Sequence, residues 1–141
     1  MSVLKPAFFK KPFTVVRDRY TEIPVAFYLS YDQATNTGEL RDIDPYRFIV
    51  DFRYDVDDAE PIFTLDSADS PPTISKEAGI MTMLMTPDLT KLFVVPASTT
   101  MDFPFRKVFF EIKAYDEDDN KVAAAFGTLN VYQNVTRSDD V

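Results

Sequence analysis

From Phe103 to Arg137 the chain reads FPFRKVFFEIKAY, then DEDDN, then KVAAAFGTLNVYQNVTR: two long apolar runs joined by a polar, mostly acidic turn. Runs rich in Val, Ile, Phe and Tyr on either side of such a turn predict a long antiparallel hairpin. In a strand, successive side chains point to opposite faces. Val108, Phe110, Ile112 and Ala114 therefore share one face, and Phe109, Glu111, Lys113 and Tyr115 the other. In the second run Ala125, Gly127, Leu129 and Val131 alternate with Phe126, Thr128, Asn130 and Tyr132. For the two apolar sets to meet, the numbers of paired residues must add to an odd value. A turn over Asp116–Asp119, closed by Tyr115 and Asn120, makes that sum 235. Such a hairpin closes a β-sandwich, and none of its residues proposes a reaction.

Upstream of the hairpin, Gly79–Thr86 (GIMTMLMT) reads as a strand with Met81, Met83 and Met85 on one face. Methionines in that pattern fill core gaps, or else line an adaptable partner surface. Thr86 followed by Pro87 is a good helix start, and Pro96 stops the helix within about two turns. Tyr46, Phe48, Val50, Phe52, Tyr54 and Val56 alternate with polar residues, apart from Ile49, in the cleanest strand of the chain. Ile23, Val25, Phe27, Leu29 and Tyr31 form another, in which Pro24 removes a ladder donor and so belongs at an edge or a bulge. Phe13–Val16 and Ile62–Leu65 are shorter strands, while residues 32–44, 57–61 and 66–72 read as loops and turns.

One domain is the simplest reading of 141 residues with 45% apolar content. No stretch approaches the roughly 18 uncharged apolar residues that span a bilayer. The start, MSVLKPAFFKKP, is interrupted by Lys5 and Pro6, which does not suit a secretory signal. There is no cysteine, hence no disulfide framework and no thiolate chemistry. The net charge of −8 disfavours nucleic acid as a partner. That charge is uneven: residues 1–19 hold five basic residues against Asp18, or +4, so the other 122 carry −12.

The acidic clusters, Asp55, Asp57, Asp58 and Glu60 and then Asp116–Asp119, lack the spacing of a self-contained calcium loop and read as solvated turns. No metal site and no cofactor is expected. With neither His nor Cys, Ser-His-Asp and Cys-His arrangements are excluded. Glu111 could be one of a pair of glycosidase-type carboxylates, but no second member stands out. The chain is therefore read as no enzyme. Residues 1–12 lack any period and contain Pro6 and Pro12, so they read as an extended arm. Its apolar Val3, Leu4, Phe8 and Phe9, with Lys5, Lys10 and Lys11, are the candidate interaction residues, expected to dock on a neighbour.

Several pieces together resemble small β-sandwich proteins of tailed bacteriophages. They are the helix TPDLTKLF, with Thr90 and Leu92 or Phe93, the strand ending at Tyr115 and its polar turn, Gly127 in the last strand, and Val135-Thr136-Arg137 at its close. The N-terminal domains of phage baseplate upper proteins have a similar plan. Where that group often starts its second strand with Gly-Asp, this chain has Arg17-Asp18-Arg19. The resemblance covers about 120 residues and implies a structural role in a virion made in the host cytoplasm.

The expected fold is all-β: a single antiparallel, immunoglobulin-like β-sandwich over residues 13–137, with one short helix before the last hairpin. The arm 1–12 precedes it and a tail, 138–141, follows. The expected function is that of a non-enzymatic adaptor or assembly module in the tail, baseplate or neck. Its partners would be other copies and neighbouring virion proteins, with neither nucleic acid nor membrane among them. A capsid decoration protein and a carbohydrate-binding sandwich are the alternatives.

Overall fold

A computed structural model describes residues 7–9, 11–32, 34–35, 37–40, 42–95 and 105–133. The hairpin is the centre of the larger of two sheets. Its strands are β10 (Phe105–Tyr115) and β11 (Lys121–Tyr132). On the other side of β10 lies β6 (Arg47–Arg53), and beyond it β7 (Phe63–Asp66), each antiparallel to its neighbour. Val108 pairs with Leu129, Phe110 with Gly127 and Ile112 with Ala125. These pairs add to 237, the odd value that the dry face demands, and two more than the expected turn implied. The turn explains the difference. It takes five residues rather than four: the Asp116 N–H donates to the Asn120 carbonyl at 3.0 Å, and Asp119 adopts a left-handed φ of 61°. The ladder then shifts between Ala114 and Tyr115, leaving Val122 unpaired and buried as a bulge.

The smaller sheet runs β3 (Thr21–Ala26), β9 (Ile80–Met85), β8 (Ile74–Glu77), all antiparallel. Pro24 lies in β3, an edge strand, where its missing N–H costs no ladder bond on the outer side. Met81, Met83 and Met85 are fully buried, so the methionine stripe is core. They share one hydrophobic cluster with Phe48, Val50, Phe52, Phe110 and Ile112 of the larger sheet. The strand orders, B-E-D facing C′-C-F-G in immunoglobulin lettering, give an immunoglobulin-like sandwich. Between the last strand of the smaller sheet and β10 lies α1 (Pro87–Thr90). Thr86 caps it, accepting from Leu89 N at 3.4 Å, with Pro87 in the first turn. It is one turn rather than two, because the chain then inserts Phe93, fully buried, against Phe52 and Phe63.

Four features depart from the sequence reading. The long strand expected across residues 22–31 breaks at Phe27, whose ring packs on Phe48 at 5.3 Å. The chain there leaves the smaller sheet, and β4 (Tyr28–Asp32) pairs instead with β5 (Thr37–Leu40) in a separate hairpin. The expected loop 32–44 is thus partly strand. β8 went unread because Ile74 is its one buried residue and ISKE carries no apolar alternation. Finally, the sandwich is not wholly antiparallel. β1 (Ala7–Phe8) and β2 (Phe13–Val16) both run parallel to β11 along its outer edge. The arm boundary drawn at Pro12 therefore does not separate arm from sandwich, since Ala7–Phe9 already lie on the larger sheet. The tail 138–141 lies outside the described residues.

Candidate interaction surface

The N-terminal run follows β11 in two steps. Ala7 and Phe8 stand beside Ala125 and Phe126, and Phe13–Val16 beside Leu129–Tyr132. The Phe9 N–H donates to the Phe126 carbonyl at 3.1 Å, extending the first step by one residue. The Phe9 ring then turns onto the sandwich, 5.5 Å from Phe13 and 5.9 Å from Phe110 between centroids. Gly127 makes this seat possible. A Cβ there would lie 2.4 Å from Phe110 Cζ and 2.9 Å from Phe9 Cδ2, closer than real side chains approach.

The expected interaction residues are thus divided. Phe9 is half-buried against its own sandwich, which corrects the reading that it leaves the domain; a glycine notch across the sheet is not visible in local sequence. Phe8 lies in β1 by its backbone. Lys11 is exposed. Val3, Leu4, Lys5 and Lys10 lie outside the described residues.

The outer face of the larger sheet carries a charge network that the sequence reading missed. Asp51 is only 7% exposed, although it lies on the wet side of β6. Its carboxylate accepts from Lys113 Nζ at 2.8 Å and Thr64 Oγ1 at 2.8 Å, with Arg53 at 3.5 Å. Burial pushes the Asp51 carboxyl up, but the hydrogen bonds from Lys113 and Thr64 and the nearby positive charges outweigh it, leaving the group below its ordinary range. The hydrogen bond to Asp51 holds Lys113 above its ordinary value, against the opposing effect of burial. The ladder places Glu111 beside Asp51, so the second carboxylate sought for a glycosidase pair exists. Its chemistry points elsewhere. Asp51 is held ionised by Lys113 and Thr64, and Glu111 lies 3.8 Å from Lys121, so both carboxylates belong to a network of ion pairs.

Asp51, Arg53, Val56, Phe109, Glu111 and Phe126 border a shallow concavity of about 90 Å³. Substrate and cofactor pockets usually exceed about 300 Å³. A space this small has room for about one side chain. Phe126 is 38% exposed and Val56 66%.

Other large apolar residues are exposed near the end of β2, in the chain after α1 and at the start of β10. They are Tyr20, Leu92, Val94 and Phe105. Polar bonds hold the chain after α1 in place: Arg17 donates to the Lys91 carbonyl at 2.8 Å, Tyr54 Oη accepts from Val94 N at 2.7 Å, and Gln133 donates to the Val95 carbonyl at 2.8 Å. Two of the tyrosine rings are covered by neighbours. Arg106 covers the Tyr54 ring at 3.7 Å, and Tyr132 packs on Phe105.

The acidic turns serve themselves. Asp116 Oδ1 accepts from the N–H groups of Asp118 and Asn120, both at 2.9 Å, and Asp55 Oδ1 from that of Asp57 at 3.1 Å. Among the described residues no group of three His, Cys, Asp or Glu side chains is placed to hold a metal ion. No protein-family model matches the chain, and no curated protein matches it.

Proposed function

We propose that this chain is a non-enzymatic structural protein of a tailed-phage particle, an adaptor or assembly module of the tail, baseplate or neck. The observation that carries the module reading is the outer face of the larger sheet. There Phe126 and Val56 stand exposed beside the ion-paired Asp51–Lys113–Arg53 network, over a concavity fit for one side chain. Such a face presents a rigid, desolvation-ready surface to another protein. The particle itself is proposed on the resemblance of the TPDLTKLF helix, the Tyr115 strand and the Gly127 strand to phage sandwich proteins. The virion is accordingly the proposed location, and other copies and neighbouring virion proteins the proposed partners.

Immunogold labelling of purified particles with antibodies against the chain tests the reading. Label on the tail, baseplate or neck is the expected outcome. Label over the capsid surface would favour a decoration protein instead. Unlabelled particles, together with saturable binding of the chain on a glycan array, would replace the proposal with a carbohydrate-binding module.

A further inference from the structure

We infer that the two outer faces of the sandwich bind one another between copies, the larger sheet of one molecule stacking on the smaller sheet of the next. The inference rests on the assembly reading and names the partner as a second copy and the surface it offers.

Charge separates the two faces. Positions that alternate with the buried side chains of β6, β7, β10 and β11 face outward on the larger sheet. Arg47, Arg53, Lys107, Lys113 and, past the bulge, Lys121 lie there with Asp51, Asp66 and Glu111. Five basic residues against three acidic make +2 in a chain whose net charge is −8, so everything else carries −10. The acidic turns at 55–60 and 116–119 stand at opposite ends of this sheet. An approaching negative surface is therefore steered to its middle.

On the smaller sheet the same alternation turns Glu22, Pro24 and Ala26 of β3, Ile80 and Leu84 of β9, and Glu77 of β8 outward. The two carboxylates are the charges of that face, −2. Lys76 points to the other side, where its Nζ donates to the carbonyls of Asp44 at 2.8 Å and Tyr46 at 2.7 Å. Because β9 is the central strand, Ile80 and Leu84 form the middle of the face. In the ladder each stands beside a carboxylate, Ile80 by Glu77 and Leu84 by Glu22.

An aliphatic side chain flanked by carboxylates suits the opposite face. The concavity there has room for one such side chain between Phe109 and Phe126, with Arg53 at its border. Lys107 is exposed over the Phe109 ring, 5.3 Å from its centroid, and pairs with no carboxylate among the described residues. Two like faces repel and two unlike faces attract. The unlike faces lie on opposite sides of the sandwich, so the contact does not close at two copies and builds a ring or a file. The smaller face sets its size. Three strands about 4.8 Å apart, with about 3.3 Å per residue along the six of β9, give roughly 14 by 20 Å. That is well below the roughly 800 Å² per partner of a standard interface, so each contact is weak and fills at high concentration or in a repeating assembly.

Sedimentation equilibrium of the full chain, taken up to millimolar concentration at low salt, tests the stacking. The average mass should rise from 16.1 kDa with concentration and pass twice that value. Glu22→Lys/Glu77→Lys puts +2 on both faces, and Lys107→Glu/Lys121→Glu puts −2 on both. Each variant alone, folded by circular dichroism, should associate about tenfold more weakly. An equimolar mixture of the two should recover association, because every contact between unlike variants joins opposite charges. Should a reversal unfold the chain, the corresponding Gln substitutions carry the same prediction with a smaller loss. A wild type that stays at 16.1 kDa, association that either variant leaves intact, or a mixture that recovers nothing overturns the inference. Particle labelling reads separately: a monomeric chain on labelled particles removes the stacking alone, and an associating chain on unlabelled particles removes the particle role alone.

Discussion

Gly127 and Asp51 show how much hangs on single positions. Nothing about Gly127 requires a left-handed backbone; what it supplies is room for the Phe110 and Phe9 rings. Gly127→Ala should therefore destabilise the protein by about 1–3 kcal/mol, the usual cost of overpacking, measured by urea unfolding. A smaller residue at 110 should recover part of that loss, so Gly127→Ala/Phe110→Leu should cost less than the sum of its single changes. Asp51 illustrates the opposite case, a polar residue placed between Val50 and Phe52 and nearly as buried as they are. Asp51→Asn loses the charge that holds Lys113 and should cost about 1–3 kcal/mol near neutral pH. The sign of its pH dependence follows from the depressed carboxyl. The stabilisation is complete above the unfolded value of about 3.8 and is lost as pH falls through the lower folded value. Wild type and Asp51→Asn should thus converge in urea midpoint as pH drops below about 3.8, and unchanged separation at low pH would contradict the assignment.

At the level of elements, strands with regular alternation were legible and those without it were not. Phe48, Val50 and Phe52 are all at 0% exposure, as the period of two required. β10 and β11 were readable for the same reason, and the dry face fixed the parity of their register. Its absolute value was not readable, because it depends on Asp116 gathering two N–H groups and on a bulge at Val122. Asp116→Ala removes that acceptor and should cost about 1–2 kcal/mol, read as a lower thermal midpoint with the fold retained. β5 and β8 escaped notice because a short strand without apolar alternation is set by its partner rather than by its own composition. The parallel run of β1 and β2 along β11 escaped for a related reason. It pairs residues more than 110 positions apart, and the signal lies in Gly127 rather than in the arm. The Asp51–Lys113 pair likewise becomes visible only once β6 and β10 are aligned.

For the whole molecule, the two sheets share one core, and its aromatic centre is Phe52, in ring contact with Phe63, Phe93 and Phe110. Phe52→Ala should cost about 3–5 kcal/mol in equilibrium unfolding, and a loss below about 1 kcal/mol would mean the core lies elsewhere. The apolar and charged features left on the surface then have to be explained by what the domain meets. Those features are an acidic body, Ala7–Phe9 and Phe13–Val16 seated along the last strand, and exposed Phe126 and Val56 on the outer face of the larger sheet. The proposed role is that of a structural component of a particle. Quantitative mass spectrometry of gradient-purified particles tests it most directly. The chain is expected in multiple copies, in a fixed ratio to the other structural proteins across particle fractions. A chain abundant in the lysate of producing cells but absent from the particles, or present there without fixed stoichiometry, would contradict it.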